Sequence, residues 1–233
     1  MVWCEGRDCI MIDQLIVLMS TYGPLLLKGL SMTIFLWFGS ALLSCAIGVP
    51  LGILNSDKLK SNRIAWIIAS YIFLVRAIPV YVQVLITYFV VPDLLNIDLS
   101  PITAAILALG ICSSGYSAEI IRGGINALPV GQWNACFIMG YSRFQALRYV
   151  IIPQMVNTVL PSLFNELESL IKSTSILAAI GVVELTKVGT NIVARTMNPI
   201  PIYLLLAFLY LVLSALLRCM SFYVERRIVY VKC

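Results

Sequence analysis

Residues 123–153 read GGINALPVGQWNACFIMGYSRFQALRYVIIP. Pro129 and Gly131 punctuate the stretch. Gln132 to Met139 carries a helical pattern, and Gly140 suits a left-handed cap at its end. A second short amphipathic piece follows, with Arg143 and Arg148 on it. Two short helices joined at a glycine make a compact knob rather than a floppy tether. A knob of this kind fits a groove on another protein. An ordinary connecting loop is the plainer reading, and these residues alone do not choose between the two.

On either side of the knob the chain becomes lipid-like. Pro101 to Ile121 precedes it and Ile151 to Ile171 follows, both apolar and long enough to cross a bilayer. Three more such runs extend from about Pro24 to Leu54, Ile64 to Val91 and Pro201 to Tyr223. The expected fold is all-α, with five transmembrane helices and a cytoplasmic loop between spans three and four. Composition agrees: the 233 residues are 61% hydrophobic and 12% charged, about half the charged fraction of a soluble domain. Ile176 to Val183 is apolar but too short to cross, and is expected as a buried or interfacial piece. Met1 to Asp13 is acidic and lacks the basic start of a cleavable signal, so the first run is expected to remain as a span.

Basic residues orient the chain. One set of loops holds Lys58, Lys60, Arg63, Arg122, Arg143, Arg148, Arg218, Arg226, Arg227 and Lys232; the other holds Arg7, Lys28, Lys172, Lys187 and Arg195. The positive-inside rule places the first set in the cytoplasm. This gives an extracytoplasmic segment 1–23, a transmembrane domain 24–224 with its cytoplasmic loop at about 125–149, and a cytoplasmic tail 225–233. The net charge of +5 reflects these loops, and no nucleic-acid binding is expected. There is no histidine, which removes most nucleophile pairs and zinc sites, so no metal and no cofactor are expected. The seven cysteines form no CxxC pair and read as small apolar fillers. Cys4 and Cys9 would bridge only in an oxidising space.

Small residues recur every four positions at Ser40, Ser44, Gly48 and Gly52, and again at Ala104, Ala108 and Cys112. Such spacing lets helix backbones approach closely, within one chain or across a subunit seam. In the fourth span Gln154, Asn157, Thr158, Pro161, Asn165, Glu168 and Lys172 share one helical face, opposite Met155, Val159, Leu163 and Leu170. A polar stripe through the bilayer should meet a neighbouring helix or a watery path. In the second span Arg76, Gln83 and Thr87 are expected within about 20° of one another on a continuous helix. Arg76 lies near the midplane and needs a partner, for which Glu166 and Glu168 are the candidates. Such a pair either ties two helices together or meets the charged groups of a solute.

The knob resembles the coupling loop of ABC-importer permeases, whose pattern is Glu-Ala-Ala, three residues, Gly, nine residues, Ile-x-Leu-Pro. Asn134-Ala135-Cys136, Gly140 and Val150-Ile151-Ile152-Pro153 keep that spacing. Ser114 to Ile125, Val75 to Pro79, Leu128 to Trp133, Asn165-Glu166, Lys172 to Ser175 and Ile180 to Thr186 look like the polar amino-acid permeases of the histidine/glutamine/arginine type. The resemblance covers roughly residues 24 to 227. It implies a second permease subunit (a copy or a relative), two cytoplasmic ATP-binding subunits and an extracytoplasmic solute-binding protein. The loop from Pro129 to about Arg148, including Gly131, Gln132, Asn134, Ala135, Gly140 and Arg143, would dock on the ATPase. Arg76, Gln83, Asn157, Asn165, Glu166 and Glu168 would line the substrate path. The chain has no GxxxxGK[ST] phosphate loop, so the resemblance makes it a transport subunit and not the ATP-hydrolysing enzyme. It departs from the pattern at Asn134, where Glu is usual, although asparagine still suits a helix cap. Ala77-Ile78 replaces Gly-Thr, and Ser173 replaces Asp. Glu168 stands where an apolar residue is more usual and suggests a basic amino acid as substrate. An ion-coupled secondary carrier is the alternative within transport, although the halves show no inverted repeat.

Overall fold

A computed structural model describes the backbone of residues 5–59 and 62–229, and the side chains of residues 18–59 and 64–227. The proposed Cys4–Cys9 bridge lies outside the described side chains. The described residues form helices without strands: α1 (Glu5–Leu54), α2 (Asn62–Ala77), α3 (Val80–Leu85), α4 (Val91–Leu95), α5 (Pro101–Asn126), α6 (Val130–Ile138), α7 (Arg143–Ala146), α8 (Ile152–Ser173), α9 (Leu185–Thr196) and α10 (Pro199–Val229). Three helices are long and apolar enough to cross a membrane, and five spans result if each of two bent helix pairs counts as one.

Several boundaries differ from the sequence expectation. The first helix starts at Glu5 and continues through Pro24, and its apolar spanning part begins at Leu18, because Leu18 and Met19 extend the apolar run N-terminal to the proline. The third span continues past Ile121 to Asn126, and Ser100 caps its start by accepting a hydrogen bond from the Thr103 N–H at 3.1 Å. At its far end Asn126 exchanges two hydrogen bonds with Asp57, so the turn after α1 is stitched to the base of α5.

The second span is not a continuous helix. It breaks at Ile78–Pro79, and its halves meet at 101°. Proline offers no N–H to the preceding turn and clashes with its carbonyl, which leaves acceptors open at the end of α2. Gln83 fills them: its amide donates to the Val75 carbonyl at 2.6 Å and the Ile78 carbonyl at 2.8 Å. The expectation that Arg76, Gln83 and Thr87 share one helical face fails for this reason. Thr87 instead donates to the Gln83 carbonyl at 2.8 Å from within a π-helical turn at Ile86–Val90.

α5 is the axis of the fold, packed by α1, α2, α3 and α8. The small-residue stripes prove to be packing within the subunit. Ser40, Ser44, Ala104, Ala108 and Cys112 are all buried between these helices. A Cβ on Gly48 would lie 2.7 Å from the Ser114 carbonyl oxygen, and one on Gly52 would lie 2.5 Å from that of Ala118. Gly52→Ala is therefore expected to destabilise the chain by about 1–3 kcal/mol, since the backbone it meets cannot move aside locally. A lowered thermal midpoint of the purified chain in detergent would show this; Gly23→Ala, which meets nothing within 4 Å, should leave the midpoint unchanged.

After α8 the chain tightens into a 3-10 helix at Thr174–Ile180 and turns at Gly181, φ 82°. Leu177, Ile180 and Val182 are buried in the core, as the short apolar segment suggested. α9 follows and packs on α1 and α10. Its first N–H groups are satisfied by Glu184, fully buried, which accepts from Thr186 N at 2.8 Å, Lys187 N at 2.7 Å and the Tyr210 hydroxyl at 3.0 Å. Thr33 of α1 accepts from Leu185 N at 3.1 Å. One carboxyl group thus joins the start of α9 to α10.

Candidate functional site: a polar cavity and a clamped knob

Where α3, α5 and α8 meet, Val80, Leu109, Cys112, Ser113, Tyr116, Glu166, Ser169, Leu170 and Ser173 line an open cavity of about 160 Å³. That is room for roughly ten water molecules. Its charged member is Glu166. A half-buried carboxyl group in an apolar wall needs donors, and Ser113 provides one, donating to Glu166 Oε1 at 2.7 Å. Ser44 of α1 donates to Ser113 at 3.0 Å and shares a hydrogen bond with Ser117 at 2.9 Å. A chain of hydroxyls from two helices therefore fixes the Glu166 rotamer from behind, and leaves its cavity side free for a donor.

Arg76 approaches the same region and its charge acts on Glu166, but it forms no direct ion pair with either expected carboxyl group. Its guanidinium lies over the Tyr116 ring, 5.2 Å from the centroid, and 4.0 Å from Glu119 Oε2. Glu119 is itself held by Arg122 through contacts of 3.1 Å and 2.8 Å. α2 packs on α5, so Arg76 near its end meets α5 rather than α8. Glu168 is taken up by Lys172, one turn on in the same helix, at 2.9 Å. Gln83 is spent on the break. Asn157 is half-buried and Asn165 exposed, both on α8 and neither lining the cavity. Sequence reading missed Ser113, Tyr116 and Glu119. Tyr116 and Glu119 lie three residues apart on α5, so one face of that helix presents an aromatic and a carboxyl group together, a signal that was available.

The polar stripe of α8 behaves as its pattern requires on one side only. Met155, Val159 and Leu170 are buried. Thr158, Ser162, Asn165, Ser169 and Lys172 are exposed, so none of this chain's described helices covers the polar face.

The knob is built on the base of these helices. Trp133 and Cys136 of α6 are each 1% exposed and pack with Ile121 and Ile125 of α5, Ala146 and Leu147, and Ile151, Met155 and Val159 leading into α8. Gln154, the first residue of the polar stripe, donates to Gln132 at 3.4 Å. Gly140 adopts φ 82°, the left-handed turn that its position called for. Ser142 and Gln145 form a reciprocal capping box that starts α7. Asn134 does not cap a helix, contrary to one expectation. α6 begins at Val130, with Pro129 before it, so Asn134 sits exposed inside the helix together with Ala135. The outward side of the knob is apolar: Ile138 is 87% exposed and Phe144 67%, flanked by Met139 and Tyr141. Gly131, Arg143 and Arg148 are exposed around it.

The sequence pattern described as "Binding-protein-dependent transport system inner membrane component" matches residues 48–230. The glutamine transport system permease protein GlnP of Escherichia coli (strain K12) is 34% identical over 210 residues, covering 88% of this chain and 93% of that protein. The L-cystine transport system permease protein TcyB of Bacillus subtilis (strain 168) is 32% identical over 209 residues, covering 89% and 88%. Among solved structures, a crystal structure of an amino acid ABC transporter with histidines superimposes with TM-score 0.82 at 33% identity. It covers 91% of this chain and 97% of its own.

Proposed function

Because the chain belongs to the binding-protein-dependent transport system inner membrane components and is a multi-pass permease component of an ABC amino-acid importer, we propose that it works as one half of a permease pair. Two cytoplasmic ATPase subunits drive it and an extracytoplasmic binding protein feeds it. We infer an extracytoplasmic N-terminus with segment 1–23, and a cytoplasmic C-terminus with tail 225–233. The loop at about 125–149 then faces the ATPase.

The observation that carries this reading is mechanical. The exposed apolar knob is clamped through Trp133 and Cys136 to α5 and α8, the two helices that contribute most of the polar cavity. A displacement of the knob by an ATPase cannot be absorbed in a slack loop, because close-packed interfaces transmit movement. It passes to α5 and α8 and alters the space around Glu166. The uncovered polar face of α8 supplies the wall of a solute route that a second subunit completes.

In this route the Glu166 carboxylate receives the substrate ammonium, while the Arg76–Tyr116 pair stands nearby for a carboxylate. Glu166→Gln keeps the size and the Ser113 contact but loses the charge. It is expected to reduce uptake affinity by about tenfold or more, the scale of one charge-assisted hydrogen bond. Unchanged affinity in reconstituted vesicles would remove Glu166 from the route. The case for a basic substrate depends on Glu168 being released from Lys172 by the incoming side chain. Glu168→Gln is then expected to lower the preference for arginine over glutamine by about tenfold; an unaltered preference overturns that part alone.

A further inference from the structure

We propose that the cytoplasmic end of α10 is a binding site for anionic phospholipid headgroups, built from Phe222, Tyr223, Arg226 and Arg227. α10 has 31 residues, about 46 Å at 1.5 Å per residue, against a hydrocarbon core of about 30 Å. Its last turns therefore stand at headgroup level. Leu204, Phe208, Leu211 and Ala215 are exposed along one line of the helix. At about 100° per residue the same line continues into Arg218, Phe222 and Arg226. The exposed apolar face thus becomes, without a change of direction, a face of arginines and rings. Leu217 and Ser221 are buried on the opposite side.

The arginines are held ready. The Arg226 guanidinium carbon lies 4.1 Å from the Phe222 ring centroid, and that of Arg227 lies 5.0 Å from the Tyr223 centroid. Stacking occupies the flat face of a guanidinium and leaves its N–H edge open, which is the edge that binds a phosphate in two-point fashion. Glu225 does not neutralise them: it is half-buried and accepts a hydrogen bond from Ser221 on the inward side. Among the described residues, neither Arg226 nor Arg227 has an ion-pair partner. Planar cations with open edges, aromatic anchors and a continuous exposed apolar line leading to them favour a phosphodiester carrying net negative charge over an acidic protein surface.

The inference rests on the proposed cytoplasmic C-terminus only for which leaflet supplies the lipid. The test is therefore made in detergent, where there are no sides. The full chain is purified, offered phosphatidylglycerol and phosphatidylcholine in equal amount, and the retained lipids are counted by native mass spectrometry. Preference for phosphatidylglycerol is expected, with about fivefold lost for each arginine removed in R226Q and R227Q. Equal retention by the double variant and the parent overturns the site. So does a double variant that keeps its lipid but no longer holds the ATPase, which would assign the arginines to that partner. If the double variant does not fold, F222L/Y223L, which keeps the charges, is expected to lose about threefold; undiminished preference there also overturns the site. Protease access to a C-terminal tag in sealed inverted vesicles reads the orientation separately.

Discussion

Ile138→Asp combined with Phe144→Asp is expected to lower the affinity of the chain for its ATPase by at least about 100-fold, and ATP-driven uptake with it. Both side chains stand out from the knob, at 87% and 67% exposure, and neither supports the fold. Apolar anchors at the centre of an interface commonly carry about 2–4 kcal/mol each, and a carboxylate in their place adds the cost of burying charge. The thermal midpoint of the isolated chain should stay within the range of a surface change. Co-purification with the ATPase measures the effect. Full retention of the ATPase by this variant, with normal uptake, would place the docking surface elsewhere. Arg143→Gln at the rim of the same surface should cost far less, since an exposed charge contributes about 1 kcal/mol or below.

The second large effect concerns assembly of the chain itself. Glu184→Ala removes the acceptor of two backbone N–H groups at the start of α9 and of the Tyr210 hydroxyl. Each orphaned buried donor costs about 1–3 kcal/mol, so a loss of about 3–5 kcal/mol is expected, enough to reduce the yield of folded protein sharply. Glu184→Gln retains an acceptor oxygen and should fall between. Thermal unfolding in detergent orders the three proteins; equal midpoints for Glu184→Ala and the parent would mean that α9 is held by its apolar face alone.

Much of the architecture was legible because lipid imposes simple rules. The apolar runs marked three helices long enough to cross and two bent helix pairs, and the fourth run's opposition of Met155 and Val159 to Asn165 and Lys172 correctly divided α8 into buried and uncovered sides. Gly140 was legible because few residues other than glycine accept its φ. The site was less so. Helical-wheel arithmetic assumes an unbroken helix, and Pro79 made that assumption false for Arg76, Gln83 and Thr87. The partner of Arg76 is set by the packing of α2 on α5, a tertiary property that composition does not carry, and so Glu119 was passed over for Glu166 and Glu168. α9 was hidden by Lys187 and Arg195, which suggested a loop. Yet Leu185, Val188 and Ile192, with Gly189 beside them, already traced one buried helical face. The hydroxyl chain Ser44–Ser113–Glu166 joins residues far apart in sequence and has no local signature.

The account turns on a cytosolic lever attached to a polar route and moved by a separate ATPase. Reconstituting the chain with its permease partner, ATPase and binding protein in sealed vesicles tests this most directly. Radiolabelled amino-acid uptake is measured with ATP on the ATPase side, and then with only an ion gradient. The account predicts uptake with ATP and none with the gradient alone. Gradient-driven uptake by the chain without any ATPase would contradict it.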